Sequence, residues 1–163
     1  MAKFDHGGGC PCGLYSHCDP NCPEYRMENV VTIQSTNNNG YEIDTHTYLR
    51  SAYEIRMLVD LCHGAAKAGN WWINQRNVGE MLCLIHSEIS EAMEGYRKDK
   101  RDEHLPSRPS IEVELADALI RIFDLAGGLN LSLGEAFAEK LCYNQSRTDH
   151  TLEHRNAPGG KKF

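Results

Sequence analysis

Residues 86–97 read HSEISEAMEGYR, and residues 112–124 read EVELADALIRIFD. Glu88 and Glu91 in the first stretch are spaced i, i+3, and Glu114 and Asp117 in the second repeat that spacing. On a helix, residues three apart share one face. Apolar residues recur around both pairs at helical steps, so the acids border a stripe expected to be buried. Carboxylates gathered there repel one another, and burying them is costly unless a cation neutralises them. Two such helices packed side by side would offer four carboxylates to one site. That is a hard, all-oxygen donor set suited to Mg²⁺ or Mn²⁺. Either pair alone also fits a plain solvated helix face. The repeat on two apolar-striped helices is what points to a metal.

The flanks extend the helical pattern. From about Thr47, Leu49, Tyr53, Met57, Leu58 and Leu61 recur at three- and four-residue steps, and Gly69-Asn70 stops the run. Trp71-Trp72-Ile73 leads to a second helix, roughly 76–99, with Val78, Leu82, Ile85, Ile89, Ala92, Met93 and Tyr96 as its apolar positions. Lys98 to Ser110 is charged, holds two prolines and reads as a loop. Ser110 is expected to cap a third helix, with Glu112 in its first turn. Val113, Ala116, Ile120 and Phe123 would form its apolar side, and Gly127-Gly128 would close it. Ser132 and Glu135 suggest a capping box for a fourth helix over about 133–147.

The fold class expected is therefore all-α, a four-helix bundle over residues 48–150. Residues 1–27 form a Cys-rich irregular segment and 28–47 a linker or short hairpin. In the hairpin reading, Val30, Val31 and Ile33 precede a turn at Asn37–Gly40, and Tyr41 and Ile43 follow it. Residues 151–163 read as a flexible tail, with Pro158-Gly159-Gly160 after Asn156.

At 163 residues the chain fits one domain with a small appendage. A net charge of -6 without a long basic run argues against a nucleic-acid partner. It does not argue against a nucleotide, because bound metal reverses the local field. The apolar runs are too short to span a membrane, and MAKFDHGGGC lacks a signal-peptide core, so a cytosolic protein is expected. Its many aliphatic residues suggest burial by self-association.

The cysteines divide in two. Cys10, Cys12, Cys18 and Cys22, with His6 and His17 nearby, could wrap a structural Zn²⁺. Their C-x-C-x₅-C-x₃-C spacing is not a pair of C-x-x-C knuckles, so unliganded thiols and disulfides stay open. Cys62, Cys83 and Cys142 fall within helices and read as inert core residues.

A ferritin-like di-iron bundle would need Glu-x-x-His pairs, and His86 is out of register for one. The order of elements instead resembles the MazG-like all-α nucleoside triphosphate pyrophosphohydrolases. GEMLCLIHSEISEAMEGYRK, then EVELADALIRIFDLAG, then KLCYNQSR carry the likeness, which runs from about Tyr48 to Arg147 and leaves the first 45 residues outside.

The resemblance implies hydrolysis of a nucleoside or deoxynucleoside triphosphate to the monophosphate and pyrophosphate. It implies Mg²⁺ or Mn²⁺ held by Glu88, Glu91, Glu114 and Asp117, with one of these acids accepting the proton of the attacking water. Lys140, Asn144 and Arg147 would face the nucleotide from one side of the last helix; without the resemblance they would read as a polar stripe near a helix C-terminus. Trp71 or Trp72 would stack on the base, with Asn70 and Asn74 beside them. An indole there is also an ordinary core or interface residue. The cluster Arg97, Lys98, Lys100 and Arg101 reads first as a solvated loop and second as a phosphate contact.

Arg121 and Asp124 continue the acid stripe of the third helix and suggest a supporting salt-bridged shell or an intersubunit contact. Homodimers or homotetramers and a role in trimming the nucleotide pool of bacteria or phages are implied, with a guanine nucleotide as first choice. Two rivals stand beside this reading. One is a non-catalytic helical assembly module with a zinc-bound interaction tag. The other is a phosphoribosyl-ATP pyrophosphatase, which shares the fold.

Overall fold

A computed structural model describes residues 35–36, 42–147, 149 and 151–160. The Cys10, Cys12, Cys18 and Cys22 segment lies outside the described residues, as do Val30, Val31, Ile33, Asn37–Gly40 and Tyr41 of the expected hairpin. A minimal antiparallel ladder joins β1 (Ser35–Thr36) to β2 (Glu42–Ile43), pairing Ser35 with Ile43 and Thr36 with Glu42. The rest is helical: α1 (Thr45–Ala68), α2 (Val78–Arg97), α3 (Ser110–Gly128), α4 (Leu133–Ser146) and α5 (Leu152–Asn156). No helix among the described residues is long and apolar enough to cross a membrane. The chain falls into two compact units. One is Glu54–Glu135; the other joins the residues up to Tyr53 with those from Ala136 onward.

Local chemistry sets the helix starts. Asp44 Oδ1 accepts from the Thr47 amide at 2.7 Å and caps α1. Asn77 Oδ1 accepts from the Gly79 and Glu80 amides at 2.8 and 3.2 Å and caps α2. Ser110 does not cap α3. Pro109 takes that position without a side-chain bond, and Ser110 is the first helical residue. Its hydroxyl lies 2.5 Å from where a Cβ on Gly95 would be, so the two residues pack closely only because position 95 is glycine. Glu135, expected in a capping box, instead pairs with Arg56.

The three long helices of the acid-bearing region end alike. Asn70, Asp99 and Asn130 adopt positive φ of 63°, 48° and 52°. After each, the chain folds back in a Schellman pattern: Trp71 N–H to the Ala66 carbonyl, Lys100 to Gly95, Leu131 to Ala126. Thus Gly69-Asn70 marks the end of α1, and α3 ends at Gly127-Gly128 as expected, with the left-handed residue, Asn130, two positions later. Both glycines are helical. A Cβ on Gly127 would strike His63, and one on Gly128 would lie 1.9 Å from Cη2 of Trp72. These glycines admit rings.

Helices α2 and α3 pack along their length. Gly95, late in α2, meets Ser110 at the start of α3, while Glu88 meets Arg121 further along, so the two run antiparallel. The buried stripe of α2 is Met81, Glu88, Ala92 and Gly95. That of α3 includes Ser110, Ala118, Asp124, Leu125 and Ala126. Small residues let the backbones approach closely. The expected apolar stripes are met only in part: Ala92 is buried and Ile85, Val113 and Phe123 are half-buried, but Leu82, Ile89, Met93 and Tyr96 of α2 and Ile120 of α3 are exposed, as are Leu115 and Leu119. Where the helices meet, Ala92, Gly95, Ser110 and Ala118 are buried beside Glu88, while many of the bulky apolar residues face outward.

The connecting loop is knit to itself. Arg101 and Pro109 form a bridge, Asp102 Oδ1 accepts from the His104 and Leu105 amides, and Arg101 Nη1 donates to the Ser107 carbonyl at 3.0 Å. Arg97 and Lys98 both turn to Glu94. The basic cluster is thus largely engaged with its neighbours. The tail, expected to be flexible, carries α5, capped by Thr151.

Candidate metal centre

The acid site is built from the α2–α3 seam. Glu88, Glu91 and Glu114 each bring a carboxylate oxygen within 4.8 Å of the others. Glu88 is 6% exposed, Glu114 is half-buried and Glu91 is open to solvent. Asp117 lies outside this triangle, one turn along α3, yet its charge is felt at Glu114. Burial first, then the charges of Glu91, Glu88 and Asp117, push the Glu114 carboxyl above its ordinary value, and a hydrogen bond with Glu88 adds to the shift. The four acids named from spacing alone therefore share one field. The triangle is graded from buried to open, all oxygen, and repulsive at neutral pH. Glu88, Glu91 and Glu114 are the residues that could hold a hard divalent cation.

One cation is already built in. Arg121 Nε donates to Glu88 Oε1 at 2.7 Å. Of the two roles open to Arg121, support of the acids is the one its geometry matches. A buried carboxylate with a single guanidinium partner is tolerable, whereas three clustered carboxylates are not fully balanced by it.

Asp124, one turn beyond Arg121, builds a second polar centre. It is 7% exposed. Its Oδ1 accepts from Trp72 Nε1 at 2.7 Å and meets His63 Nδ1 at 2.9 Å, while Oδ2 lies 3.6 Å from Arg76 Nη1. His63 and Trp72 meet edge to face at 5.1 Å. His63 and Arg76 carried no signal in the sequence pattern, because their partners come from separate segments.

The two tryptophans part company here. Trp72 is half-buried, with its N–H bonded to Asp124 and its ring in the space left by Gly128. Trp71 is 66% exposed. It borders an open, polar groove of about 520 Å³ lined by Asn70, Asn74, Arg76, Asn77 and Glu80 among others.

Lys140, Asn144 and Arg147 belong to the other unit. Lys140 Nζ sits 4.5 Å from the Tyr143 ring centre. Arg147 forms a two-pronged pair with Asp149, Nε to Oδ1 at 2.9 Å and Nη2 to Oδ2 at 2.5 Å. Asn144 Oδ1 is shielded from solvent and accepts no hydrogen bond among the described residues.

Of the helical cysteines, Cys142 is buried and Cys62 half-buried, and burial raises both thiols. Cys83 is exposed, contrary to the expectation of a core residue. Its place on the outward face of α2 is shared with Leu82. Compared with known proteins, the chain matches no family model, no curated protein and no solved structure.

Proposed function

We propose that the chain is a homo-oligomeric, MazG-like pyrophosphohydrolase with a four-helix core. It would cleave a nucleoside or deoxynucleoside triphosphate to the monophosphate and pyrophosphate, with a guanine nucleotide as first choice. The observation that supports this most is the convergence of Glu88, Glu91 and Glu114 from two antiparallel helices, with Asp117 adding its charge. Such a cluster favours a divalent cation over protons at neutral pH.

Mg²⁺ or Mn²⁺, when bound, would neutralise the phosphates and activate water. The residues supply the rest. Glu88, buried in the seam, would form the deep end of the donor set. Glu91, exposed, is placed to meet ligand. Arg121 balances Glu88 and holds its orientation. Trp71 presents an indole face beside an amide-rich groove, which suits a planar, hydrogen-bonding base. The outward apolar stripe of α2 and α3 supports assembly.

The test is a panel of the common NTPs and dNTPs with Mg²⁺ or Mn²⁺, resolving monophosphate, diphosphate, pyrophosphate and phosphate. Monophosphate plus pyrophosphate is expected, lost in Glu88→Gln and Asp117→Asn with the fold retained. Diphosphate plus phosphate, or full activity in both variants, would sink the reading.

A further inference from the structure

We propose that Asp124 is the positioning residue of the groove beside Trp71. The proposal rests on reading that groove as the nucleotide's. Asp124 takes no place among the clustered carboxylates, yet it is one of the few buried charges among the described residues. A buried carboxylate is costly without full pairing. Here every partner comes from another segment: His63 from α1, and Trp72 and Arg76 from the stretch between α1 and α2.

The chain of support runs outward. Trp72 is held twice, by its N–H bond to Asp124 and by the space over Gly128. Arg76 lies between the indoles, its Cζ 5.7 Å from the Trp71 ring centre and 5.8 Å from that of Trp72. Its guanidinium also faces Asp124 Oδ2. Arg76 in turn lines the groove with Trp71. The exposed indole is thereby backed by a cation, and that cation by a buried anion. A surface fixed before the ligand arrives loses less freedom on binding. Asp124 therefore governs affinity, while the carboxylate triangle governs turnover.

Two variants test this. Asp124→Asn keeps the size and removes the charge. Trp72→Phe keeps a ring over Gly128 and removes only the N–H. Amide hydrogen exchange is followed by mass spectrometry, alongside steady-state kinetics on the best triphosphate. Exchange in residues 69–77 should accelerate at least tenfold in Asp124→Asn, with no change in the peptides holding Glu88 to Glu91 and Glu114 to Asp117. KM should rise at least fivefold with kcat within twofold, and Trp72→Phe should move both readouts the same way by less. Unchanged exchange in both variants overturns the proposal, and so does a fall in kcat with KM held. If no triphosphate is turned over, the functional reading fails alone, and the exchange experiment still decides whether Asp124 holds the loop.

Discussion

The guanidinium of Arg121 crosses the α2–α3 seam to Glu88, Nε to Oε1, at 2.7 Å. It stands in for part of the charge that a metal would bring. Removing it leaves a buried acid among like charges. Arg121→Ala should lose about 1–3 kcal/mol without metal, less than for a fully buried pair because Arg121 is partly exposed. Added Mg²⁺ should then raise the Tm of the variant more than that of the parent. Equal Tm shifts would show that Glu88 and the ion do not communicate.

Glu114 gives a pH dependence with a definite sign. Its folded carboxyl titrates above the unfolded value of 4.5. Below 4.5 both states hold the proton. As pH rises from there towards the raised folded value, the unfolded chain releases its proton first, so stability falls; above that value it is level. Thermal unfolding in a chelator should trace this decline. Mg²⁺ should reverse it at neutral pH and lose that effect below 4.5, where Glu114 holds its proton.

Gly128 is a socket. A methyl there would lie 1.9 Å from Trp72 Cη2. Gly128→Ala should cost about 1–3 kcal/mol by overpacking. It should also shift tryptophan emission to the red as Trp72 is displaced into solvent. Urea unfolding followed by fluorescence measures both, and unchanged emission would place the ring elsewhere.

Asp99 ends α2 at φ 48°, a region open to glycine without steric cost. Asp99→Gly should stabilise the protein by up to about 1 kcal/mol. The urea midpoint should rise with the slope unchanged.

The self-association proposed above would use the outward stripe of α2. Met93→Glu, at a position 59% exposed, should leave the helix content intact and yield a smaller species in light scattering. An unchanged mass would move the interface off this stripe.

The legible part of the protein is the part governed by near neighbours in sequence. The i, i+3 spacing of Glu88 with Glu91 and of Glu114 with Asp117 is a local rule, and it leads to the cluster once the helices pair. Asn70 as a stop is likewise local. Gly127 and Gly128 show the limit: the pair marks the end of α3, but its second role, admitting the rings of His63 and Trp72, depends on distant segments. The exposure of Leu82, Ile89, Met93 and Tyr96 was not legible for a related reason. Periodicity finds an apolar face but not which partner covers it, and the seam went to Ala92, Gly95 and Glu88. Asp124 was readable only as a continuation of the acid stripe, since its donors lie on α1 and the Trp71–Arg76 stretch.

The self-knit loop between Arg101 and Pro109 has a kinetic side. It joins the two most intimately packed helices across a short span of chain, so their pairing closes little loop entropy and belongs early on the folding route. On that route the carboxylates would come together before the remainder of the protein is in place, and their repulsion would enter the barrier to folding as well as the finished structure. A divalent cation there would hasten the chain's arrival at its fold, and Arg121 performs a share of that service from within the sequence.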